Sequence, residues 1–363
     1  MRLLDRYIIS KVAVGTLFGV CCLSSVLLLG QLFKEIKPLI ESQQAPLMQV
    51  AKFLWSSVPF MLTFTLPWAF LTSVILTVGK LSSNNELIGM RMAGWSLWRV
   101  AAPVIMMGLV LSGFSFWLNG TVAPRAKDDI QELLLEAVKK DPQAYLSPGR
   151  VQKQLSSSAK LYVEDKEGED LYGFHFCQFE AGSPYPTSYV HAQKVAVTVV
   201  NNQEALSLDL REAYIETKDD SSPIIIADQA QPWIINIASK KKRKKLGSMT
   251  NREIDEELRT NQDKLDKKAT LKRVKEVAKR QSMSLACLSL GMLAVPLALQ
   301  SRRKDNNMGF LVAIGVAAVY FGLLMGLEGV GASVWLRRTV IFMPNILSLG
   351  IALWLYRRAA FTA

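Results

Sequence analysis

Apolar residues along the chain fall into two blocks separated by a polar middle. Six stretches contain no Asp, Glu, Lys or Arg. They are VAVGTLFGVCCLSSVLLLGQLF (12–33), FLWSSVPFMLTFTLPWAFLTSVILTV (53–78) and VAAPVIMMGLVLSGFSFWL (100–118), then SMSLACLSLGMLAVPLAL (282–299), MGFLVAIGVAAVYFGLLMGL (308–327) and TVIFMPNILSLGIALWLY (339–356). At about 1.5 Å per residue, each run comes close to the roughly 30 Å hydrocarbon thickness of a bilayer. None has the polar stripe that marks a surface helix of a soluble domain. The first run is too long for a cleaved leader and lacks a small-residue cleavage site before the second. The pattern predicts an α-helical membrane protein of six transmembrane helices, arranged three plus three.

The middle reads differently. KLYVED (160–165), LYGFHFCQFE (171–180), YVHAQKVAVTVV (189–200), ALSLDLREAYIET (205–217) and SPIIIAD (222–228) alternate in polarity and are rich in β-branched and aromatic residues. Turn-forming pieces such as DKEGED, AGSPYP and KDDSS separate them, which predicts a sandwich or jellyroll-like domain. An amphipathic helix is expected at 251–280, where Thr250 and Glu253 have capping-box spacing and Ile254, Leu258, Leu265, Leu271 and Val274 recur near the helical period. The expected division is therefore 1–118 for helices one to three, 119–281 for the β-rich insert with its linker helix, and 282–363 for helices four to six.

Composition agrees with this mixture, with 50% hydrophobic and 20% charged residues among 363. The net charge of +12 admits nucleic acid, an anionic membrane surface or a phosphorylated ligand as partner. Its distribution sets an orientation. Arg2, Arg6, Lys11, Lys80, Arg91, Arg99, Arg302, Arg303, Lys304, Arg357 and Arg358 share one side of a six-span chain, against Lys34, Lys37, Lys52, Arg337 and Arg338 on the other. The positive-inside rule places both termini in the cytoplasm, hence an inner-membrane protein with its insert outside the cytoplasm. The run KKKRKK (240–245) then lies on the far side, where nucleic acid is not expected. It reads as a solvated loop or as a contact to anionic headgroups or a phosphorylated ligand.

Candidate chemistry is sparse. The Walker, zinc-protease and nucleophile-elbow patterns are missing from the sequence, so no catalytic residue, cofactor or metal is expected. Cys21, Cys22, Cys177 and Cys287 have no metal-ligand or disulfide spacing, and His175 and His191 read as ordinary strand residues. Charge-free spans argue against a proton-driven carrier, although backbone and Asn345 leave sodium open. Pro59, Pro67, Pro103, Pro296 and Pro344 are expected to kink spans. Lys34 and Lys37 at the outer end of span one, Lys52 before span two and Arg125 after span three fit either of two roles. They are snorkelling anchors, or a basic ring that holds the phosphates of a lipid.

The stretch KLSSNNELIGMRMAGWSLWR (80–99) remains, a polar interruption with one carboxylate, Glu86, near its middle. Together with LLDRYI (3–8) and RQSMSLACLSLGMLAVPLAL (280–299), and in this order around a β-rich insert, it resembles the lipopolysaccharide-export permeases, the YjgP/YjgQ family that includes LptF and LptG. The resemblance implies a permease subunit that extracts the lipid from the inner membrane, itself not an enzyme. It further implies a paralogous six-span permease, a cytoplasmic ABC ATPase dimer and a periplasmic bridge protein as partners. NELIGMRMAGWS matches the family's coupling segment, so the resemblance assigns Glu86, Met90, Arg91 and Met92 to ATPase docking and Lys34, with Lys37 beside it, to substrate contact. A short helix is expected from Asn84 to Met92, stopped near Gly94. Two rival readings stand beside this one. One is a membrane-tethered envelope scaffold or assembly protein, and the other is an ion-coupled lipid carrier.

Overall fold

The computed structural model describes residues 3–31, 47–140, 152–156, 159–167, 170–179, 186–200, 205–217, 225–229, 233–236, 244–260, 267–300, 306–327 and 334–361. They form two compact units. One draws on residues 1–32, 52–130 and 244–363, the other on 33–51 and 131–243.

The first unit is helical. It comprises α1 (Leu3–Gln31), α2 (Leu47–Ser83), the short α3 (Glu86–Met92) and α4 (Leu97–Trp117). A π-helical turn at Leu118–Val122 leads into α5 (Ala123–Lys140), of which residues up to 130 belong to this unit and the rest to the second. A 3-10 turn at Leu246–Ser248 precedes α6 (Asn251–Thr260) and α7 (Lys267–Gln300). The chain continues through α8 (Asn306–Gly326), α9 (Val334–Ile341) and α10 (Met343–Phe361). Among the described residues, five stretches are long and apolar enough to cross a membrane: Leu4–Gln31, Val50–Ser83, Leu97–Leu133, Ala269–Leu299 and Gly309–Gly326.

These correspond to the first five apolar runs of the sequence. The sixth run is divided at Phe342, whose N–H bonds the Thr339 carbonyl at 3.1 Å. Pro344 accounts for the break. It supplies no N–H for the preceding turn, and its ring would clash with the carbonyl four residues back, so the chain restarts with proline in the first turn of α10, where it is tolerated. Pro59, Pro67, Pro103 and Pro296 instead lie inside continuous helices. Of the amphipathic helix expected at 251–280, α6 and the first turns of α7 are described, and residues 261–266 between them lie outside the described set. Ile254 and Leu271 of its apolar face are buried, while Leu265 lies outside the described residues. Span three does not end at 118, because the π turn carries the helical path onward into α5. Residues 119–130 and the described part of 244–281, expected in the insert, cluster with the helical unit.

Small residues bring these helices together. A side chain on Gly15 would collide with Ser73, and one on Gly19 would lie 3.1 Å from the Ala69 Cβ. Cβ positions at Gly108 and Gly291 face the α7 backbone and the Phe70 ring respectively. Hydroxyls secure the same contacts. Ser73 donates to the Val12 carbonyl at 2.8 Å and Ser112 to that of Ser284 at 2.7 Å. Close backbone approach with serine bonds is how helices associate where lipid removes the hydrophobic drive. One apolar cluster, including Ile8, Phe70, Leu71, Leu87, Val100, Leu290, Leu324 and Tyr356, runs through α1, α2, α3, α4, α7, α8 and α10.

The second unit contains an antiparallel sheet of β1 (Gln152–Ser156), β2 (Ala159–Glu167), β3 (Asp170–Phe179), β4 (Pro186–Val200), β5 (Ala205–Thr217), β6 (Ile225–Gln229) and β7 (Trp233–Asn236). β1 to β6 follow one another in order, and β7 pairs with the first half of β5. The described strands thus form a meander without the Greek-key crossovers of a jellyroll. Buried positions change parity midway, from Leu171, Val195 and Leu210 to Phe174, Phe176, Val190, Ala192 and Ala213. The change falls where Gly173 and Glu212 take φ of 61° and 51°, because such residues reset which face the next side chain joins.

Candidate functional site

The polar interruption between α2 and α4 folds as a short helix closed at its C-terminal end. Asn85 leaves α2 with φ 61°, a left-handed conformation that asparagine tolerates. Its carbonyl accepts from Gly89 N–H at 3.0 Å. The Asn84 side-chain amide donates to the Glu86 carboxylate at 3.1 Å, and the carboxylate sits in the first turn of α3, the favourable end of the helix dipole. The far end closes as a Schellman motif. Trp95 N–H bonds the Met90 carbonyl at 3.1 Å and Gly94 N–H bonds that of Arg91 at 2.9 Å, with Gly94 at φ 82°.

All four residues assigned to docking lie on this one helix, which starts two residues later than expected. Leu87 is buried and anchors it, Glu86, Met90 and Arg91 are half-buried, and Met92 is 86% exposed. Ile88, 50% exposed, joins Met92 on the outward side, a position the sequence reading passed over. It also passed over what fastens the segment. Arg99 pairs with Asp5 at 3.6 Å and lies 5.8 Å from the Trp95 ring, and Trp98 stacks on Tyr356 with ring centroids 4.5 Å apart.

Of the basic ring expected from the sequence, only Lys52 and Arg125 fall among the described residues. Lys34 and Lys37 lie outside them, while Lys52 on α2 and Arg125 on α5 are exposed. Lys127, one turn from the π-helical segment, is half-buried with its ammonium 5.4 Å from the Phe60 ring centroid.

Arg280, near the middle of α7, is the buried cation that sequence reasoning missed. Its guanidinium donates to the carbonyls of Met249 (2.7 Å), Leu246 (3.3 Å) and Gly247 (3.2 Å), to Asn251 Oδ1 (3.1 Å) and to Glu276 (3.1 Å). Its donors are thus committed within the chain, which makes it a clamp on the strap before α6. Gly120 of the π turn meets the same strap, since a Cβ there would stand 3.0 Å from the Asn251 amide. Lys244 of the basic run bridges Asp128 and Glu253 at 3.2 Å each. Asp128 and Glu253 hold its ammonium above the ordinary lysine range. This part of the run is therefore ion-paired, and residues 240–243 lie outside the described set.

Asn345 has a full complement of partners. Its oxygen accepts from Ser289 (2.7 Å) and Tyr320 (3.1 Å), and its amide donates to the Ser282 carbonyl (3.0 Å) and hydroxyl (2.8 Å). Both lone pairs and both hydrogens are used, which leaves the sodium-coupled reading without its side chain. On the sheet, His175 and His191 face each other across β3 and β4 with rings stacked 4.5 Å apart. His175 also bonds the Tyr189 hydroxyl at 2.8 Å.

A bundle of apolar helices joined by small residues, interrupted by a polar insert that folds as a sheet, defines a polytopic membrane protein with a separate polar domain. Comparison with protein families matches residues 6–358 to the lipopolysaccharide export system permease LptF/LptG, and the chain belongs to that family. It is thus a membrane-spanning permease component of lipopolysaccharide export. A search of curated proteins finds no match.

Proposed function

We propose that this chain is the permease half of an ATP-driven lipopolysaccharide exporter in the inner membrane, and that α3 receives the stroke of a cytoplasmic ATPase dimer. The observation that carries this is the build of α3. It is a short helix closed at its C-terminal end by the Schellman turn and rooted by Leu87, and it turns Ile88 and Met92 to solvent beside the half-buried Glu86. A plain interhelical turn needs neither the Schellman closure nor the outward apolar pair, and methionine suits an adaptable docking surface. In this reading the chain crosses the membrane six times, three plus three, with α9 and α10 together as the sixth crossing. Both termini face the cytoplasm and the β-sheet unit faces the periplasm, where it passes lipid to a bridge protein. A paralogous permease closes the other side of the lipid cavity. Lys34, Lys37, Lys52 and Arg125 engage phosphates at the outer end.

The test is Glu86→Ala. The expected outcome is a chain that accumulates at wild-type level but copurifies with less ATPase and exports less lipopolysaccharide. Wild-type copurification and export from native expression levels would remove the docking role from α3.

A further inference from the structure

Lys127, on α5, is a half-buried cation whose ammonium meets a ring and a bare backbone. It lies 5.4 Å from the Phe60 ring centroid of α2 and against Gly247 of the strap before α6, where a Cβ would stand 2.9 Å from it. These contacts leave its three hydrogens without an acceptor among the described residues. The surroundings do not supply the missing charge. Lys245, Lys279 and Arg280 act on it as like charges, and the opposing carboxylate, Glu276, is bonded to Arg280 at 3.1 Å. Asp128, next along α5, is taken up by Lys244 at 3.2 Å. Partial burial of an ammonium among like charges costs free energy unless an anion joins it. This group is separate from the ring expected in the sequence, because Lys127 lies about 200° around the helix from Arg125. Tryptophans mark its level in the bilayer. Trp55, 81% exposed, precedes Phe60 on α2, and Trp117, 56% exposed, closes α4 at the same end of the bundle. Exposed indoles near helix ends sit at the headgroups, so the anion that fits is one carried by a lipid.

We propose that Lys127, in the field of Lys245, Lys279 and Arg280, binds the phosphate of an anionic phospholipid from the surrounding bilayer. Phe60, Lys127, Lys245, Gly247 and Arg280 all belong to the helical unit of this one chain, so no residue of a second subunit is needed to build the site. The exported lipid, in the reading above, occupies a cavity that a paralogous permease closes, and the present inference does not rest on that reading. A mobile ammonium with three hydrogens suits a phosphate. Arg280 adds charge but no hydrogens, since its donors are committed to the strap carbonyls, Asn251 and Glu276. The same cations repel a headgroup that carries its own amine, which favours a net-negative lipid over a zwitterionic one.

The test places the full chain in phosphatidylcholine nanodiscs. Phosphatidylglycerol at a few molecules per disc, lipopolysaccharide and inorganic phosphate are added in separate arms. Acetylation of Lys127 is followed by mass spectrometry beside that of Lys80, exposed at the far end of α2. Phosphatidylglycerol is expected to slow acetylation of Lys127 about fivefold, the factor one basic residue is worth beside anionic headgroups, and to affect Lys80 far less. Lys127→Gln should retain about fivefold less phosphatidylglycerol through purification, and Lys127→Arg should recover most of it. The footprint is read on the wild-type chain, so it decides even if Lys127→Gln fails to fold. No slowing at Lys127 overturns the proposal, as does equal slowing at Lys80, which would be surface charge alone. Unchanged lipid retention by a folded Lys127→Gln overturns it as well. Equal protection by inorganic phosphate would make this a free-anion site, and stronger protection by lipopolysaccharide would give Lys127 to the exported lipid. Either result also overturns the phospholipid assignment. No arm contains an ATPase or measures export, so failure here is distinct from failure of the docking reading.

Discussion

At Gly94 a single backbone angle decides how α3 ends. Its φ of 82° permits the paired bonds from Gly94 and Trp95 back to Arg91 and Met90, and an L side chain there costs roughly 1–2 kcal/mol. Gly94→Ala is expected to speed hydrogen exchange at the Gly94 and Trp95 amides while leaving exchange in α7 unchanged. Arg280 acts at longer range. Arg280→Met would leave the carbonyls of Leu246, Gly247 and Met249 without their donor, a loss of about 2–4 kcal/mol, read as a thermal midpoint several degrees lower. The two residues differ in how visible they are in sequence. Glycine just past a short helical pattern is a local signal. Arg280 stands at the head of an apolar run, where an anchoring cation is equally expected, and its partners are main-chain oxygens some thirty positions earlier. A residue pattern does not record which carbonyls a loop will present.

Among elements, the start of α6 was legible because both halves of its cap are local. Thr250 N–H donates to Glu253 at 2.7 Å and Glu253 N–H to the Thr250 hydroxyl at 3.3 Å. The Thr250 amide, and then Lys244, hold the Glu253 carboxyl below the usual carboxylate range. The stabilisation this gives is therefore present above about pH 4.3, the ordinary glutamate value, and is lost as pH falls through the lower folded value. Glu253 is 38% exposed on its side chain, so solvent screening keeps the effect modest. Between pH 7 and pH 3 the wild-type thermal midpoint should fall further than that of Glu253→Gln, which keeps an acceptor but has no proton to gain. Equal slopes would detach the cap from the acid response. Helix interruptions were less legible than helix starts. The apolar run continues unbroken through 339–356, and hydropathy is indifferent to the broken hydrogen-bond ladder at Phe342. The strands were read closely, since alternation and turn residues are both short-range. Their curvature was not, because the parity change at Gly173 and Glu212 depends on backbone angles.

For the molecule as a whole, orientation is read from charge in the sequence, and the structure supplies positions at which to test it. Charge alone places α3 on the side of the chain that carries eleven of the sixteen cations counted near the spans. Structure adds that Met92 there is open to solvent and that Glu164 on β2 is also exposed, so both positions can report their compartment. All four native cysteines are free thiols, and replacing them with alanine gives a silent background. In that background, Met92→Cys should react with an impermeant thiol reagent only after the inner membrane of spheroplasts is opened. Glu164→Cys should react in intact spheroplasts. Opposite behaviour at both sites would invert the protein and put α3 out of reach of any cytoplasmic ATPase. Labelling of both from outside would require an odd number of crossings between positions 92 and 164 to be replaced by an even one. Because α4 is the one apolar helix between those positions in the described chain, that result would contradict its place as a membrane span, and with it the proposed placing of α3 and the sheet in different compartments.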